Sequence, residues 1–516
     1  MSNPVSSAWR LVAAGWVLVR YDALVPREFA PLLPGWVQLI AGGLRLFAGR
    51  EARIGRPGER LGRAFERLGP VAIKLGQLLS TRADIFGGRF AEDLSRLKDR
   101  LPPFPEAIAR SEVELALQRP LGTLYAEFGE AVAGASIAQA HRARLHDGRA
   151  VAVKVLRPRV EQRVARDVGA MRLGARLVEG WVPASRRLEP RAFVETTARS
   201  LSMELDLRLE ASAVSELGEI MARDPYMRAP AVVWDGVGKR VLTLEWAQGL
   251  PMSEPSALEQ PGLDRKALAD NVIRAFLAQA LDHGTFHADL HEGNLFCAPP
   301  ALITAVDFGI VGRIGPAERR YLAEILWGFI RRDYRRVAEV HFEAGYVPKT
   351  HAVDDFAQAL RAVGEPVVNR PVREVSMGRL LAQLFEITAL FDMRLRPELV
   401  LLQKTMVTVE GVARRIDPDH DLWAASRPVV ERWISREMSP AARLNTTVKE
   451  LAAAIHGLAR LAEAPTLQPP VIVERRSERA GRWALAAALL ALVLAAGAAG
   501  VVLERGWAGP QAAAGR

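Results

Sequence analysis

Cysteine is almost absent: Cys297 is the one thiol in 516 residues. No internal disulfide can form, so the disulfide-built class of small domains is excluded and a reducing compartment is allowed. Aromatic residues are sparse, at 7%. A secretory leader is not evident: WRLVAAGWVLVR (9–20) is apolar but short, and no small-residue cleavage site follows it cleanly. Internal repeats are lacking. Long uncharged runs are lacking too, apart from the 21 residues of Trp483–Leu503. That run is long enough to cross the roughly 30 Å hydrocarbon core of a bilayer as a helix. Its alanine richness leaves a buried soluble helix as the alternative. Arg475, Arg476, Arg479 and Arg482 precede it, while Arg505 follows beside Glu504. The positive-inside rule then puts the large N-terminal portion in the cytoplasm, on a single-pass C-terminal anchor. Ala487, Ala491, Ala495 and Ala499 repeat every four residues, a face on which a homodimer could pack; in so alanine-rich a helix, chance explains the spacing as well.

What is present reads as a globular chain: 49% hydrophobic and 25% charged residues. At about 150 residues per domain, the length suits three units or one two-lobed domain with additions. The net charge of +10 is mostly an arginine excess. It favours an anionic partner weakly, whether membrane surface, nucleotide or nucleic acid; an arginine-rich surface alone accounts for it equally. Residues 1–60 are apolar and basic, with Trp9, Trp16 and Trp36, and read as short helices lying on a membrane surface or packed on the main domain. Residues 61–120 read as a helical extension in which PPFP (102–105) ends a helix. Strand signals fall in 130–156 and 229–247, and helical spacing in 161–222, 264–284 and 316–463. Residues 466–482 read as a basic, proline-containing linker.

A tetrapeptide of the VAIK type occurs twice, as Val71-Ala72-Ile73-Lys74 and Val151-Ala152-Val153-Lys154. Such a tetrapeptide can put a phosphate-binding lysine on a strand. Around the second copy, Asp147-Gly148 is a hairpin signal, and Val151, Val153 and Val155 alternate with Ala152 and Lys154. Ahead of the hairpin, AGASIAQAH (133–141) supplies small residues where a nucleotide-covering loop belongs. The first copy lies in a helical context. Leu68, Ala72, Leu75 and Leu79 share one side; Lys74, Gln77, Thr81 and Asp84 share the other. A polar stripe of this kind is ordinarily a solvated face.

FHADLHEGNLF (286–296) places Asn294 five residues after Asp289, and Asp307-Phe308-Gly309 begins eighteen residues beyond Asp289. Phosphoryl transfer needs these types in this order: a carboxylate to orient or deprotonate the attacking oxygen, then an amide and a second carboxylate to hold magnesium on the phosphates of ATP or ADP. The two histidines of HADLH alone would also suit a metal site, but no further ligand cluster supports one. Glu204, Asp206 and Glu210 on a helical stretch offer partners for the strand lysine, each also readable as charged helix surface. VLTLEWAQG (241–249) reads as a strand leading into a hinge at Glu245-Trp246, whose backbone could meet adenine.

Together these pieces resemble the UbiB family of atypical protein-kinase-like proteins, also called AarF-domain kinases. The marks are K-x-G-Q as Lys74-Leu75-Gly76-Gln77, STRADIF (80–86), KDRLPPFP (98–105), the loop Ala133-Gly134-Ala135-Ser136 followed by Ile137-Ala138-Gln139, VAVK, E-x-D as Glu204-Leu205-Asp206, Glu210, HADLHEGN and DFG. The likeness is close over roughly residues 60–330. It implies an α+β, two-lobed protein-kinase-like fold: a K-x-G-Q helical extension (61–120), an N-lobe with a helical insertion (121–250), a helical C-lobe (251–465) and a C-terminal transmembrane helix (483–503). It implies Lys154 as the phosphate lysine with Glu210 as its partner, Asn294 and Asp307 as magnesium ligands, and Asp289 as the catalytic-loop aspartate. Ala133 to Ile137 would cover the nucleotide. Lys74 and Gln77 would guard the site from the extension, with Glu204 as partner to Lys74 and Asp206 beside it. The family is linked to isoprenoid quinone (ubiquinone) biosynthesis at the bacterial inner membrane. That implies quinone precursors or quinone-biosynthesis proteins as partners, no nucleic acid, and ATPase rather than ordinary protein kinase behaviour. A small-molecule phosphotransferase and a nucleotide-gated lipid-binding scaffold are the competing classes. Three departures stand out: Gly134 where the family often has alanine, Leu290 and Glu292 where HADPHPGN has prolines, and one apolar C-terminal run where bacterial members often have two.

Overall fold

The computed structural model describes residues 4–24, 35–80, 88–95, 102–181, 189–368 and 397–437, with Leu97, Arg186, Ile387 and 390–393 between them. The helices ahead of the first strand are α1 (Pro4–Arg20), α2 (Gly35–Leu44), α3 (Pro57–Leu68), α4 (Pro70–Ser80), α5 (Gly88–Ser95) and α6 (Glu106–Leu117). A four-stranded antiparallel sheet follows, in the order β1 (Tyr125–Gly134), β2 (Ala138–Leu145), β3 (Ala150–Leu156), β4 (Val241–Glu245). Between β3 and β4 the chain inserts α7 (Val160–Trp181), α8 (Pro190–Glu204) and α9 (Leu207–Met221). The second lobe is built on α10 (Arg265–Ala278) and α11 (Pro316–Arg331), α12 (Tyr334–Glu343), α13 (Val353–Val368), α14 (Pro397–Ile416) and α15 (Leu422–Glu437). Its short strands are β5 (Leu250–Pro251), β6 (Thr285–His287), β7 (Leu295–Ala298), β8 (Leu302–Ala305) and β9 (Val311–Arg313), paired as β5-β7-β8 and β6-β9.

The sheet forms where alternation predicts it. Val151, Val153 and Val155 are buried on one face of β3 while Ala152 and Lys154 stay half-buried on the other. Gly148 takes φ +87° at the β2–β3 turn, a conformation open to glycine, and the Leu145 carbonyl accepts its N–H at 3.0 Å. Lys154 sits opposite Ala140 on one side and Leu242 on the other, in the centre of the sheet. One continuous core joins this sheet to the C-lobe, from Leu156 and Leu242 through Leu217 on α9 to Phe276 on α10 and Val409 on α14. Helix α10 is central: Leu268, Val272, Ile273, Phe276 and Leu277 are among its buried residues.

The apolar side read for the first VAIK copy holds: Leu68, Ala72, Leu75 and Leu79 pack against Ala64, Phe65 and Leu94. The helix itself is broken in two, because Gly69 adopts φ +104° between α3 and α4. PPFP is a strap without regular secondary structure that leads into α6, and residues 98–101 ahead of it lie outside the described residues. The strands β5 to β9 were not foreseen, each being only two to four residues long. Of the two readings for residues 1–60, α1 takes the packed one: it lies on α7, with Arg10 paired to Asp167. Among the described residues no helix is long and apolar enough to cross a membrane. Trp483–Leu503 and the linker 466–482 lie outside the described residues, as do Thr81, Asp84 and most of STRADIF.

His141, His341 and His420 are held below the usual imidazole range by burial. Each stays neutral when folded but takes a proton near pH 6.5 when unfolded, so their contribution to stability is present above that value and lost as pH falls below it. Thermal melts should therefore give a lower Tm at pH 5.5 than at pH 7.5, and His341→Leu should flatten the dependence; equal melting at both pH values would refute this.

Candidate nucleotide site

Lys154 reaches across the cleft from β3. Its Nζ donates to both oxygens of Glu210, at 2.7 and 2.9 Å, and to Asp307 Oδ1 at 3.1 Å. Glu210 stands one turn into α9, whose N-terminus is capped by the Asp206 carboxylate accepting from Arg208 N at 3.2 Å. Burial pushes Glu210 up to about 7 against the pull of Lys154. Burial works against the charge on Lys154 as well, but Asp307 and Glu210 outweigh it and hold the ammonium above its usual value. Lys154 draws Asp307 down to about 2. The Asp307 side chain is 50% exposed toward the cleft, so solvent moderates that attraction. The cluster thus holds a firm cation, a firm anion and a carboxyl close to its titration point.

Asp307 is left-handed, with φ +59°, a costly conformation for a non-glycine residue. The reason lies next door. Phe308 is 1% exposed and packs against the His287 ring at 4.8 Å, so the backbone must turn to send Phe308 inward and Asp307 toward Lys154. His287 is fully buried. Its Nδ1 accepts from Asp289 N at 3.1 Å, which leaves the proton on Nε2 to donate to Val306 O at 3.2 Å. One neutral imidazole, lowered by burial, therefore ties Asp289 to the segment carrying Asp307. Ahead of it, α10 unwinds through a π-turn (Gln279–His283) that Gly284 ends at φ +70°. Gln279 Oε1 accepts from His287 N at 3.0 Å.

Asn294 Nδ2 donates to Asp289 O at 3.0 Å, which turns its Oδ1 away from that contact. Val306 N donates to Asn294 O at 2.8 Å, bringing Asn294 alongside Asp307. An amide oxygen and an ionised carboxylate on adjacent strand ends suit magnesium, which takes one or two protein oxygens plus phosphate and water. Among the described residues no group of three or more His, Cys, Asp or Glu is arranged to hold a metal ion. A metal here would thus depend on the nucleotide for part of its shell.

The small-residue loop is short. Ala135 N donates to Ala138 O at 2.8 Å, and Ser136 is buried while Ala133 is exposed. Two residues support the loop: Arg157, which the sequence reading missed, and Gln139, named there as a motif residue without a role. Arg157 donates to Ala135 O at 3.0 and 3.1 Å and to Pro102 O at 2.9 Å. Gln139 exchanges two hydrogen bonds with the Phe104 backbone, at 2.8 and 3.1 Å. The PPFP strap and the loop are therefore clamped together, and no local pattern announces a clamp between residues 35 apart in sequence. At the hinge, Glu245 N donates to Ala231 O at 2.8 Å and Trp246 N to Ala150 O at 3.0 Å. Both amides therefore already have backbone partners.

Lys74, on α4, pairs with Glu204 at the end of α8. Gln77, one turn on, is half-buried. Asp206 does not join them: besides its capping bond, its oxygens hold the Arg208 guanidinium at 2.6 and 2.8 Å.

A two-lobed body with this lysine–glutamate–aspartate cluster and this loop is a kinase-like phosphotransferase fold. Residues 96–341 match the ABC1 atypical kinase-like domain and residues 360–421 the UbiB helical domain. Curated relatives named "Probable protein kinase UbiB" include one from Marinobacter nauticus, 40% identical over 73% of this chain and 70% of its own. Another, from Pseudomonas aeruginosa, is 39% identical over 71% of this chain and 70% of its own. A third, from Pseudomonas putida, is 38% identical over 83% of this chain and 82% of its own. The chain belongs to the UbiB family of ABC1 atypical kinase-like proteins. A solved Mycobacterium tuberculosis structure, titled as the complex of Rv3197 with erythromycin, aligns with a TM-score of 0.49 at 23% identity, over 70% of this chain and 93% of that one.

Lys154→Met would leave Glu210 and Asp307 facing each other without their cation. Chemical denaturation should show a loss of about 1–3 kcal/mol at pH 8, and a smaller loss at pH 6, where Glu210 takes up a proton. A loss that does not change with pH would contradict this account of the cluster.

Proposed function

We propose that this chain is a magnesium-dependent, ATP-consuming enzyme that supports isoprenoid quinone biosynthesis at a membrane, hydrolysing ATP rather than phosphorylating proteins. The observation that carries this reading is the assembled cation–carboxylate cluster, in which Lys154 meets Glu210 and Asp307 although they lie 56 and 153 residues away. Lys154 grips the nucleotide phosphates while Glu210 fixes its direction. Asp289 orients the attacking oxygen and accepts its proton. Asn294 and Asp307 would hold magnesium, which would neutralise charge on the phosphates. Ala133, Gly134, Ala135, Ser136 and Ile137 cover those phosphates, and the Glu245–Trp246 hinge lies at the base. Lys74 and Gln77, braced by Glu204, close the approach where a protein substrate would otherwise enter.

The quinone assignment rests on the family alone. For the membrane, two features give support. Trp483–Leu503 would place the catalytic body on the cytoplasmic side of a bacterial inner membrane. At the other end of the chain, Trp9 (54% exposed), Leu39 (79%) and Leu46 (86%) present apolar side chains outward, which suits a lipid surface. Quinone precursors or quinone-biosynthesis proteins are the partners in this reading.

ATP turnover by the full-length chain, with and without vesicles containing anionic lipid, tests the proposal. Phosphate release should rise with the vesicles, and Asp307→Asn should lower it about 100-fold or more. Label transferred to an added hydroxylated metabolite would replace hydrolysis with phosphotransfer. Undiminished release by the variant would remove the site from the chemistry altogether.

A further inference from the structure

The catalytic loop has a support from outside the residues that match the ABC1 kinase-like domain. Neither Leu290 nor Glu292 carries a proline ring to fix φ, so the bonds from His287 and Asn294 to Asp289 are joined by contacts from another element. Helix α14, which belongs to the segment matching the UbiB helical domain, runs beneath it. Thr405 on α14 is 1% exposed, and its hydroxyl lies 3.1 Å from Ala288 O and 2.9 Å from its own helix carbonyl at Leu401, one hydrogen shared between two acceptors. Ten residues further along, about 15 Å up the helix, the Arg415 guanidinium pairs with Glu292. The helix itself is fixed: Leu402, Val409 and Val412 are buried in the main core, and Arg265 Nε on α10 donates to Ile416 O at 2.6 Å.

We infer that Thr405 and Arg415 are positioning residues for the catalytic loop, one anchoring the backbone at Ala288 immediately before Asp289, the other anchoring Glu292 two residues before Asn294. The helical region thereby sets the spacing between the aspartate that orients the attacking oxygen and the asparagine that holds the metal. This rests on the nucleotide reading of the site. It assigns a mechanical task to a part of the chain that contributes no group to the reaction. The Arg415–Glu292 pair is only partly buried, with side chains 40% and 33% exposed, so reversing its charges should not threaten the fold. An exposed pair of this kind adds little stability; its value would lie in fixing a direction.

The test is a charge-reversal cycle in the full-length chain: Arg415→Glu, Glu292→Arg and the two together, with Thr405→Val and Thr405→Ser as an independent pair. The readouts are kcat, KM for ATP, the magnesium concentration giving half-maximal turnover, and Tm. Each single reversal should lower kcat and raise the magnesium requirement about 10-fold, the range seen when support of a metal site is removed. KM for ATP and Tm should change little, because Lys154 and the nucleotide loop are untouched. The double reversal should restore most of the loss, and Thr405→Ser should retain activity that Thr405→Val loses. A double reversal no better than the singles, or singles indistinguishable from the parent chain, would overturn the inference while leaving the nucleotide site standing. If the parent chain neither turns over ATP nor binds magnesium-ADP, the nucleotide reading has failed and the inference falls with it.

Discussion

Lys154 is a single ammonium group held at hydrogen-bond distance from two carboxylates on different elements. Its strand, the helix inserted after that strand and the loop of the other lobe all converge on it. Removing Lys154 leaves two carboxylates facing each other in a partly buried cleft without a cation, a more costly outcome than losing a surface pair. The rest of the architecture can be understood as what keeps those three elements in place. The sheet fixes β3 on both sides, the Asp206 cap starts α9 at the right residue, and the core from Leu242 to Phe276 holds the lobes together.

A second layer of polar contacts serves the first. His287 joins Asp289 to Val306, Asn294 joins Asp289 to the strand before Asp307, and Gln279 holds His287. Each of these bonds ends on backbone, and the one from Val306 N to Asn294 O is backbone at both ends, so they fix the chain's course rather than adding a charge. The strained φ at Asp307 persists because burial of Phe308 and the pull of Lys154 act on consecutive residues in opposite directions. Arg157 and Gln139 do the same for the nucleotide loop by fastening it to the PPFP strap.

Much of this was legible from residue order. The hairpin at Asp147-Gly148, the alternation in β3 and the apolar side of α4 follow from local periodicity and turn chemistry, and each appears where expected. The short strands β5 to β9 did not show, since two to four residues cannot display a period. The break at Gly69 was missed because an amphipathic pattern continues across it. Asp206, read among the acids offered to the strand lysine and beside Glu204, is a helix cap, a role that a neighbouring acidic motif disguises.

The sequence by itself determined the β2–β3 hairpin and the longer helical stretches, the chemical types at the site and their order along the chain, because periodicity and motif spacing are properties of neighbours. Only the tertiary structure decided which carboxylate Lys154 meets, which hinge amides are already spent, and that α14 lies under the catalytic loop. Those facts depend on how distant segments pack, and contacts such as Thr405 to Ala288 or Lys154 to Asp307 span more than a hundred residues, a separation at which no local pattern carries information.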